Sequence, residues 1–567
     1  MSSGKGDSPM DLPDGENQST TPALTKSAEA GIIPEEVTAQ GGSGKQRVAI
    51  ILLGLGLNVF LAALDIVSLP ILNLNNVFED EKAKGEKKKT IVSTALPKII
   101  ADFNASDSAY AWIASAYLLA NASFVALWGR VSDIWGRKPI LTLSIVLFLG
   151  GSLICGLAIH VSMLIAGRTL QGVGSGGITV LANVCVSDLF DVQRRAAYLG
   201  IFGATWAIAG AVGPVIGGAF TSYVTWRWCF YINLPVGGVA LLFLVFFLRV
   251  DSNRKSLRDG LAAIDWTGIC LLIGAILMLL IGLEFGGDQY PWASATVICL
   301  IVFGIVALIL FGVNEWFSPV PIIPPAVFNS WQNIILLLVN FFHGAVFIGG
   351  CFYLPVYFQN ILLESSIMSG VLLLPLVGAL AASSGLAGWY MRATGRFREV
   401  IIFGMFFTTL GYGLYLDLKP YHSWARIVLY QMIAGVGLGP NFQATLIALQ
   451  ANVDPSEMST ATAAFSLVRQ MAASISVVIG TVIYNHGVQL HENALAAAVG
   501  SSLAAEITAA STATSSLTKN LPTDEKNAVL RIVNEGIWYV WLLYTCLSGA
   551  GLVITCLLKN LKLQVTS

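Results

Sequence analysis

Long hydrophobic stretches alternate with short polar segments along most of the chain. An α-helix needs about 20 predominantly apolar residues to cross a bilayer core about 30 Å thick, and about fourteen stretches approach that length. They cover residues 47–65 with a continuation at 90–101, then 109–129, 139–159, 162–187, 196–220, 228–249, 264–285, 294–316, 331–357, 366–390, 399–417, 423–449, 460–484 and 536–558. The pattern predicts an all-α polytopic membrane protein.

The composition points to lipid as the main solvent of the chain. Of its 567 residues, 55% are hydrophobic and only 11% are charged, whereas soluble domains average about 25% charged residues. The net charge of −1 gives no indication of a nucleic-acid partner. None of the eight cysteines forms a C-x-x-C pair, and the nucleotide-binding pattern G-x-x-x-x-G-K-S/T does not occur. We therefore expect no metal site, no cofactor and no enzymatic activity.

Lysine and arginine residues are concentrated in alternate connecting segments, and this predicts the orientation of the helices. Short cytosolic loops of membrane proteins carry an excess of these residues. The basic clusters are Arg130, Arg137 and Lys138, then Arg194 and Arg195, then Arg249, Arg254, Lys255 and Arg258, then Arg392, Arg396 and Arg398, and finally Lys559 and Lys562. Both termini are then cytosolic, residues 1–45 form a disordered tail, and the long polar loop 487–535 is external or lumenal.

An internal repeat predicts two related halves. Residues 129–138 (GRVSDIWGRK) and 388–398 (GWYMRATGRFR) share a glycine, six residues and a Gly-Arg pair, and the glycines of 172–176 return at 435–439. Both offsets are about 260 residues, which indicates duplication. We expect two six-helix bundles in the same orientation with two extra central helices. The predicted units are 46–250, 251–325 and 326–567.

The connection between the second and third predicted spans combines glycines with charges. Its members are Gly129, Asp133, Gly136, Arg137 and Lys138. The glycines permit a tight turn and close helix approach. Asp133 can accept charge-assisted hydrogen bonds from neighbouring guanidinium groups, and these break when the halves move. A basic loop that only sets the topology is the alternative.

The fourth predicted span contains the segment Arg168-Thr169-Leu170-Gln171-Gly172. A charge near the bilayer centre costs several kcal/mol, so Arg168 is a candidate functional residue. The alternative is an arginine near a helix end that extends to the interface. Asp65 in the first span is a carboxyl group in an apolar helix, and burial favours its uncharged form, so that it can bind and release a proton.

Two further motifs follow in the fifth and sixth predicted spans. The fifth carries Gly210, Gly213, Pro214, Gly217 and Gly218, and the sixth opens with Trp226, Arg227, Trp228, Asn233 and Pro235. Pro214 can kink its helix, and the glycines offer a face for close packing. Tryptophans at a helix entrance suit the membrane interface, where Arg227 can extend into the headgroups.

These four motifs, in this order, resemble those of the drug:proton antiporters with fourteen spans, a branch of the major facilitator superfamily common in fungi. The resemblance covers Arg47 to Lys562 except for one segment. It implies that the first motif is a conformational latch and that Arg168 and Gln171 couple transport to protons, a role that we extend to Asp65. It also implies that the fifth-span glycines form an antiporter motif, although the first glycine of the motif is shifted by one residue here. We interpret the sixth-span signature as an external gate or anchor without direct chemistry.

The resemblance implies a major facilitator fold and a function. We expect a monomeric secondary transporter that exports small amphipathic compounds in exchange for protons, in the plasma membrane. A vacuolar transporter of basic amino acids or iron chelates, or a transport-dead nutrient sensor, are the alternatives. Polar residues in apolar spans are candidates for the cavity wall, although each also suits a helix–helix contact. They are Asn340, His343, Gln359, Arg469 and Gln470; Asn104 is a glycosylation candidate if its loop is external.

One segment, Ile66–Lys89, departs from the family pattern. The branch carries L-D-x-T-I-V-x-x-A-L-P, and here Leu64-Asp65 and Thr90–Pro97 match it from either side of the segment. A charge run at 79–89 cannot cross lipid, and the repeat offsets give the first half about 25 residues too many. Our hypothesis is a non-native insertion, most simply a translated intron. A genuine extramembrane loop is the alternative.

Overall fold

Long helices make up most of the computed structural model. It describes residues 43–68, 107–190, 192–248, 256–286, 290–323, 325–454, 457–509, 515–519 and 521–559. The long helices are α1 (Ser43–Ser68), α2 (Asp107–Trp135), α3 (Arg137–Gly156), α4 (Val161–Leu189), α5 (Val192–Tyr223), α6 (Asn233–Phe247), α7 (Trp266–Phe285), α8 (Ala295–Phe317), α9 (Trp331–Val356), α10 (Leu374–Thr394), α11 (Arg398–Tyr415), α12 (Trp424–Ala451), α13 (Met458–Gln489) and α14 (Thr523–Cys556). Most of the predicted tail, residues 69–89 of the suspected insertion, the matching segment 90–97 and Asn104 lie outside the described residues.

The lengths and hydropathy of these helices suit a bilayer. Eleven helices among the described residues are long and apolar enough to cross a membrane. Helices α2, α5 and α11 fall outside that set; α11, for example, begins with the charged pair Arg398 and Glu399. With these three, the long helices are consistent with the predicted number of spans. The prediction of an all-α, multi-pass membrane protein is confirmed.

The two halves repeat one pattern of helix neighbours. In the first half α2 and α3 pack on α4, and α1 packs on α5 and α6; in the second half α10 and α11 pack on α12, and α9 packs on α13 and α14. Contacts between α5 and α10 and between α2 and α13 join the halves. The extra helices α7 and α8 pack on each other, and α7 also contacts α2 and α13.

The repeated glycines account for equivalent close contacts in both halves. A Cβ atom added at Gly174 of α4 would lie 2.5 Å from the carbonyl oxygen of Ser144 in α3, and Gly172 meets the backbone of α2 in the same way. In α12, a Cβ atom at Gly435 or Gly437 would overlap the backbone of α10 or α11. Because no larger residue fits at these crossings, the glycine pattern determines how closely the helices of each half approach.

The region 487–535 differs from the loop that we predicted. Helix α13 continues to Gln489, α14 already begins at Thr523, and short helices occupy Glu492–Val499, Ser501–Ala509 and Ser515–Lys519. The segment is polar enough to lack a spanning signal, but it is rich in alanine, which favours helix. Leu495, Ala504 and Ile507 are buried against the second half.

Candidate functional site

A buried ion pair lies between the first and fourth long helices. Arg168 of α4 donates through Nη1 to the carboxylate of Asp65 near the end of α1, and both side chains are only 2% exposed. Removing two charges from water costs several kcal/mol for each ion, and close pairing compensates this only when further hydrogen bonds satisfy the remaining polar atoms. The structure thus brings together the two ionisable residues singled out from the sequence.

Amide and hydroxyl groups from three helices complete the surroundings of this pair. Arg168 Nη1 also donates to Gln171 Oε1 at 2.9 Å, and Gln171 Nε2 donates to Ser152 Oγ of α3 at 2.7 Å. Asn233 Nδ2 of α6 lies 3.4 Å from Asp65 Oδ1 and 3.2 Å from Ser152 Oγ. The result is a closed polar network inside an apolar bundle.

A tyrosine that the sequence analysis missed covers the guanidinium group. The Arg168 guanidinium carbon lies 4.3 Å from the centroid of the Tyr117 ring, which is a cation–π geometry. The Tyr117 hydroxyl lies 2.6 Å from Ser175 Oγ and 3.2 Å from the carbonyl oxygen of Ala62. Helices α1, α2 and α4 therefore meet at the ion pair. Tyr117 and Ser152 gave no signal in the sequence because both residue types are common in transmembrane helices.

The sixth-span signature divides between an interfacial part and an inner part. Arg227 stacks on the ring of the buried Trp226 at 4.4 Å and donates to the carbonyl oxygen of Ala158 at 3.1 Å, which suits an anchor. Trp228 and Pro235 are exposed. Asn233, by contrast, belongs to the network around Asp65. Our interpretation of the signature as a gate or anchor alone therefore misses the position of Asn233.

The loop motif, which runs from the last turns of α2 through Gly136 into the first turn of α3, contacts the other half of the molecule. Arg137 forms ion pairs with Asp133 and with Asp188 of α4, and its Nη1 lies 3.3 Å from Ser459 Oγ of α13. Ser459 Oγ also donates to the carbonyl oxygen of Gly129 at 3.0 Å. Lys138 donates to the carbonyl oxygen of Val245 at 2.6 Å. Gly136 has a φ of 96°, which favours glycine at this turn.

The glycines of the fifth-span motif lie within one unbroken helix, since α5 runs through all five positions. Gly213 and Gly217 are buried, whereas Gly210 faces open space; the surroundings of Pro214 and Gly218 lie outside the described features. The close approach of α5 to α10 occurs earlier, where Cβ atoms added at Gly200 and Gly203 would lie 3.2 and 2.7 Å from atoms of Ser384.

A cavity of about 70 Å³ lies between the two halves. Pockets for drug-sized ligands measure about 300–1,000 Å³, so a substrate can enter only when the lining helices separate. Seven helices contribute to the wall: Val59, Asn121, Val125, Thr179, Asn183, Phe202, Trp206, Gly344, Phe347, Ile348, Phe442, Gln443, Leu446, Phe465, Ser466, Arg469, Gln470 and Ala473.

Two of the five candidate cavity residues, Arg469 and Gln470, line this cavity. Gln470 Nε2 donates to Asn121 Oδ1 across the two halves. The other three are helix–helix contacts in this structure: Asn340 donates to the carbonyl oxygen of Phe465 at 2.8 Å, His343 Nε2 lies 3.0 Å from that of Leu438, and Gln359 donates to Ser369 at 3.3 Å. Each of the three thus forms a contact to a neighbouring helix, as the alternative interpretation holds, although the buried Nδ1 of His343 has no hydrogen-bond partner among the described residues.

Similarity to known proteins agrees with this architecture. Residues 89–477 match the sequence profile of the family described as the Major Facilitator Superfamily. A protein of Dothistroma septosporum named efflux pump dotC is 42% identical over 531 residues, which are 93% of this chain and 87% of that protein. The MFS-type transporter ppz2 of Metarhizium majus is 39% identical over 538 residues, 94% of this chain and 89% of that protein.

The fold is also similar to solved structures. The crystal structure of the human organic anion transporter MFSD10 superimposes with a TM-score of 0.52 and 15% identity, and the match covers 89% of this chain and 99% of that one. A structure of a peptide transporter superimposes with the same TM-score and 13% identity, over 92% of this chain and 95% of that one. At these identities the likeness concerns the fold alone.

Proposed function

The chain belongs to the major facilitator superfamily and is a multi-pass membrane transporter rather than an enzyme, and we propose that it exports small amphipathic compounds in exchange for protons. The buried ion pair between Asp65 and Arg168 carries this proposal. A carboxylate inside the bilayer is costly to keep charged. When its charge is balanced by one guanidinium group, binding a proton forces both groups to find new partners.

The surroundings of Asp65 supply such partners. Asn233 Oδ1 is buried and has no hydrogen-bond partner in the described part of the chain. A rotation of the Asn233 amide would present this oxygen to a protonated Asp65 carboxyl group. Arg168 would keep the Gln171 oxygen and the face of Tyr117. Proton binding would then exchange an ionic contact between α1 and α4 for a neutral contact between α1 and α6.

Contacts between the halves supply the moving part of the mechanism. Arg137 and Gly129 meet Ser459 of α13, and Gln450 of α12 lies 3.0 Å from Ser187 and 3.3 Å from Arg195. All of these join opposite halves on the side that we assign to the cytosol. Since the halves are expected to rock about the central cavity, these bonds must break for the cavity to open to that side.

Export is supported by the names of relatives and by energetics. Relatives from Dothistroma septosporum and Gibberella moniliformis are described as efflux pumps. One pH unit supplies about 1.4 kcal/mol and a potential of 100 mV about 2.3 kcal/mol per charge. Together they would sustain a concentration gradient of several hundred-fold for a neutral substrate exchanged for one proton.

The distribution of basic residues supports cytosolic termini, and we place the protein, as a monomer, in the plasma membrane. Neither the nutrient sensor nor the vacuolar transporter of basic amino acids or iron chelates is favoured by a particular observation. A transporter for basic amino acids also fits the cavity poorly, because the charged residue on its wall, within the described residues, is the cation Arg469.

We propose, as a hypothesis, that segment 66–89 is a non-native insertion. The family match begins at residue 89, where the segment ends. Transcript sequencing across the codons for Asp65 and Thr90 decides the question. A continuous message that encodes Ile66–Lys89 would reject the intron.

The proton coupling is tested with purified protein in liposomes whose interior is acidic. Uptake of two xanthene dyes, anionic fluorescein and cationic rhodamine 123, is followed together with internal pH in wild type, Asp65→Asn and Arg168→Ala. We expect wild type to accumulate at least one dye and to release internal protons as it does so. In both variants the rate of gradient-driven uptake should fall by at least about ten-fold, because either the group that binds the proton or its counter-ion is absent.

Arg258→Ala is the matched control, since Arg258 is an exposed arginine in the short helix Leu257–Ala262 outside the spans. Its rate should equal that of wild type. Equal gradient-driven rates in wild type and Arg168→Ala would refute the coupling role. Absence of gradient-driven uptake of either dye by wild type would reject proton-driven export of amphipathic compounds.

A further inference from the structure

A second arginine lies within a membrane-spanning helix, on the wall of the central cavity. Arg469 is roughly 16 Å from the start of α13, at the rise of an α-helix. It belongs to the second half, whereas Arg168 belongs to the first. Unlike Arg168, it lines the cavity between the halves.

Within the described residues, the hydrogen bonds of Arg469 all go to neutral groups. Its Nε donates to Asn340 Oδ1 at 3.0 Å, and its Nη2 donates to the carbonyl oxygen of Phe442 at 3.1 Å. The guanidinium carbon lies 4.6 Å from the Phe442 ring centroid and 5.0 Å from that of Phe465. These contacts hold the group in one position without neutralising its charge.

No carboxylate balances this charge within the described residues. No Asp or Glu oxygen lies within 4.0 Å of the Arg469 guanidinium, and its third nitrogen, Nη1, donates no hydrogen bond to this part of the chain. Ionisable residues in membranes pair with one another or with backbone carbonyls, and they commonly mark substrate pathways or balance the charge of a ligand. A fixed, uncompensated cation facing a cavity therefore favours an anion in that cavity.

The rest of the wall suits the body of an aromatic compound. The ring of Phe442, on which the guanidinium stacks, lies 5.0 Å from Phe347 and 6.5 Å from Trp206, centroid to centroid, so these three aromatic side chains form one cluster. The amides of Gln470 and Asn121 provide hydrogen-bonding groups on the same wall. An apolar site with a few placed polar groups is the usual form of a small-molecule pocket.

We propose that the cavity binds amphipathic organic anions, with an oxyanion such as an aryl carboxylate or phenolate on Arg469 and an aromatic body against Phe442. This inference rests on the proposed export function and names its substrate class. The contacts to Asn340 and the two rings orient the guanidinium, so that Nη1 remains for the substrate. The planar guanidinium matches a carboxylate better than a lysine ammonium does.

The test compares uptake of fluorescein with uptake of rhodamine 123, which share a ring system but differ in charge. In liposomes with an acidic interior, wild type should take up fluorescein faster than rhodamine 123. Arg469→Gln should lower the ratio of the two rates by at least about ten-fold, the loss expected when one partner of a desolvated charge pair is removed. Arg469→Lys should retain part of the preference, and Arg258→Gln, which changes an exposed arginine, should retain all of it.

Thermal unfolding of the purified variants separates selectivity from folding. Fluorescein should raise the unfolding temperature of wild type but not that of Arg469→Gln, whose own unfolding temperature shows whether it is folded. Two results would overturn the anion site and leave proton-driven export intact. One is gradient-driven uptake in which Arg469→Gln has the same ratio of fluorescein to rhodamine 123 rates as wild type. The other is a wild type that takes up rhodamine 123 faster than fluorescein. Uptake of neither dye would instead reject the export function on which the inference rests.

Discussion

The two intramembrane arginines differ in what balances their charge. Arg168 in the first half pairs with Asp65 and donates to Gln171 under the ring of Tyr117. Arg469 in the second half meets only an amide, a backbone carbonyl and aromatic faces among the described residues. In our proposal, the compensated pair binds a proton at Asp65, whereas the charge of Arg469, left open within the described residues, meets the ligand.

The repeat makes this difference informative, because both halves share one pattern of helix neighbours. The position in α12 that corresponds to Arg168 is Gln431. Its Nε2 donates to the carbonyl oxygens of Leu372 at 2.9 Å and Ile427 at 2.8 Å. The second half has thus replaced the ion pair by a neutral amide bonded to backbone, and it carries its arginine on α13 instead. In our proposal, the same arrangement of helices therefore binds the proton in one half and the ligand in the other.

The largest effect is expected from Asp65→Ala, because it leaves Arg168 buried without its counter-ion. Breaking a buried pair on one side costs about 3–5 kcal/mol, whereas removing both partners is far less harmful. Unfolding in detergent should therefore show Asp65→Ala to be less stable than the double variant Asp65→Ala/Arg168→Ala. Both should lose gradient-driven uptake. A double variant as unstable as Asp65→Ala would contradict the compensation that we assign to the pair.

Arg469→Ala should change stability less than Asp65→Ala does. Removing Arg469 strands no carboxylate among the described residues, and the relief of burying an uncompensated charge offsets part of the lost hydrogen bonds and ring contacts, so the net loss should be smaller. The same unfolding measurement in detergent, without dye, checks this difference. A loss as large as that of Asp65→Ala would indicate an acidic partner for Arg469 and would remove the distinction between the halves.

A smaller effect is expected at the loop motif and at its repeat in the second half, residues 388–398. Arg137 contacts Ser459 in the other half. Arg396, its counterpart in the repeat, pairs with Glu399 of its own half at 3.2 Å, and both side chains are about half exposed. Arg137→Ala should slow uptake several-fold by weakening closure on that side. Arg396→Ala should leave the uptake rate unchanged, because exposed pairs contribute little. Equal effects of the two variants would argue against a latch formed by the first half alone.

Residues that are costly inside a membrane marked the two members of the ion pair: Asp65 and Arg168 were singled out because each is an ionisable residue in an apolar helix. The glycines of 172–176 and 435–439 predicted the repeat, and in the structure they form close helix crossings in both halves. Asn233 could not be placed, since its motif begins at the interface and only the short turn Trp228–Tyr231 carries it inward. The open charge of Arg469 is a property of its neighbours and not of its own segment.

The outer turns of the two halves are stabilised by different chemistry. In the first half, Arg227 donates to the backbone carbonyl of Ala158, just after α3, and Tyr231 donates to that of Gly156, the last residue of α3. In the second half, Asp417 after α11 pairs with Lys419 and with Arg426 of α12. The corresponding turn therefore depends on a carboxylate that protons can neutralise.

The smallest effect on the unfolding temperature is expected when the charge of Asp417 at this turn is removed. Hydrogen bonds from Lys419 and Tyr430 and the charge of Arg426 hold the pKa of Asp417 below its usual value. The stability that Asp417 contributes is therefore present near neutral pH and is lost as the pH falls through that lowered value, below about 4. Because Asp417 is largely exposed, Asp417→Asn should lower the unfolding temperature less than any variant above, and only above that pH. A decrease in unfolding temperature that persists unchanged at pH 3 would show that the turn does not depend on this charge.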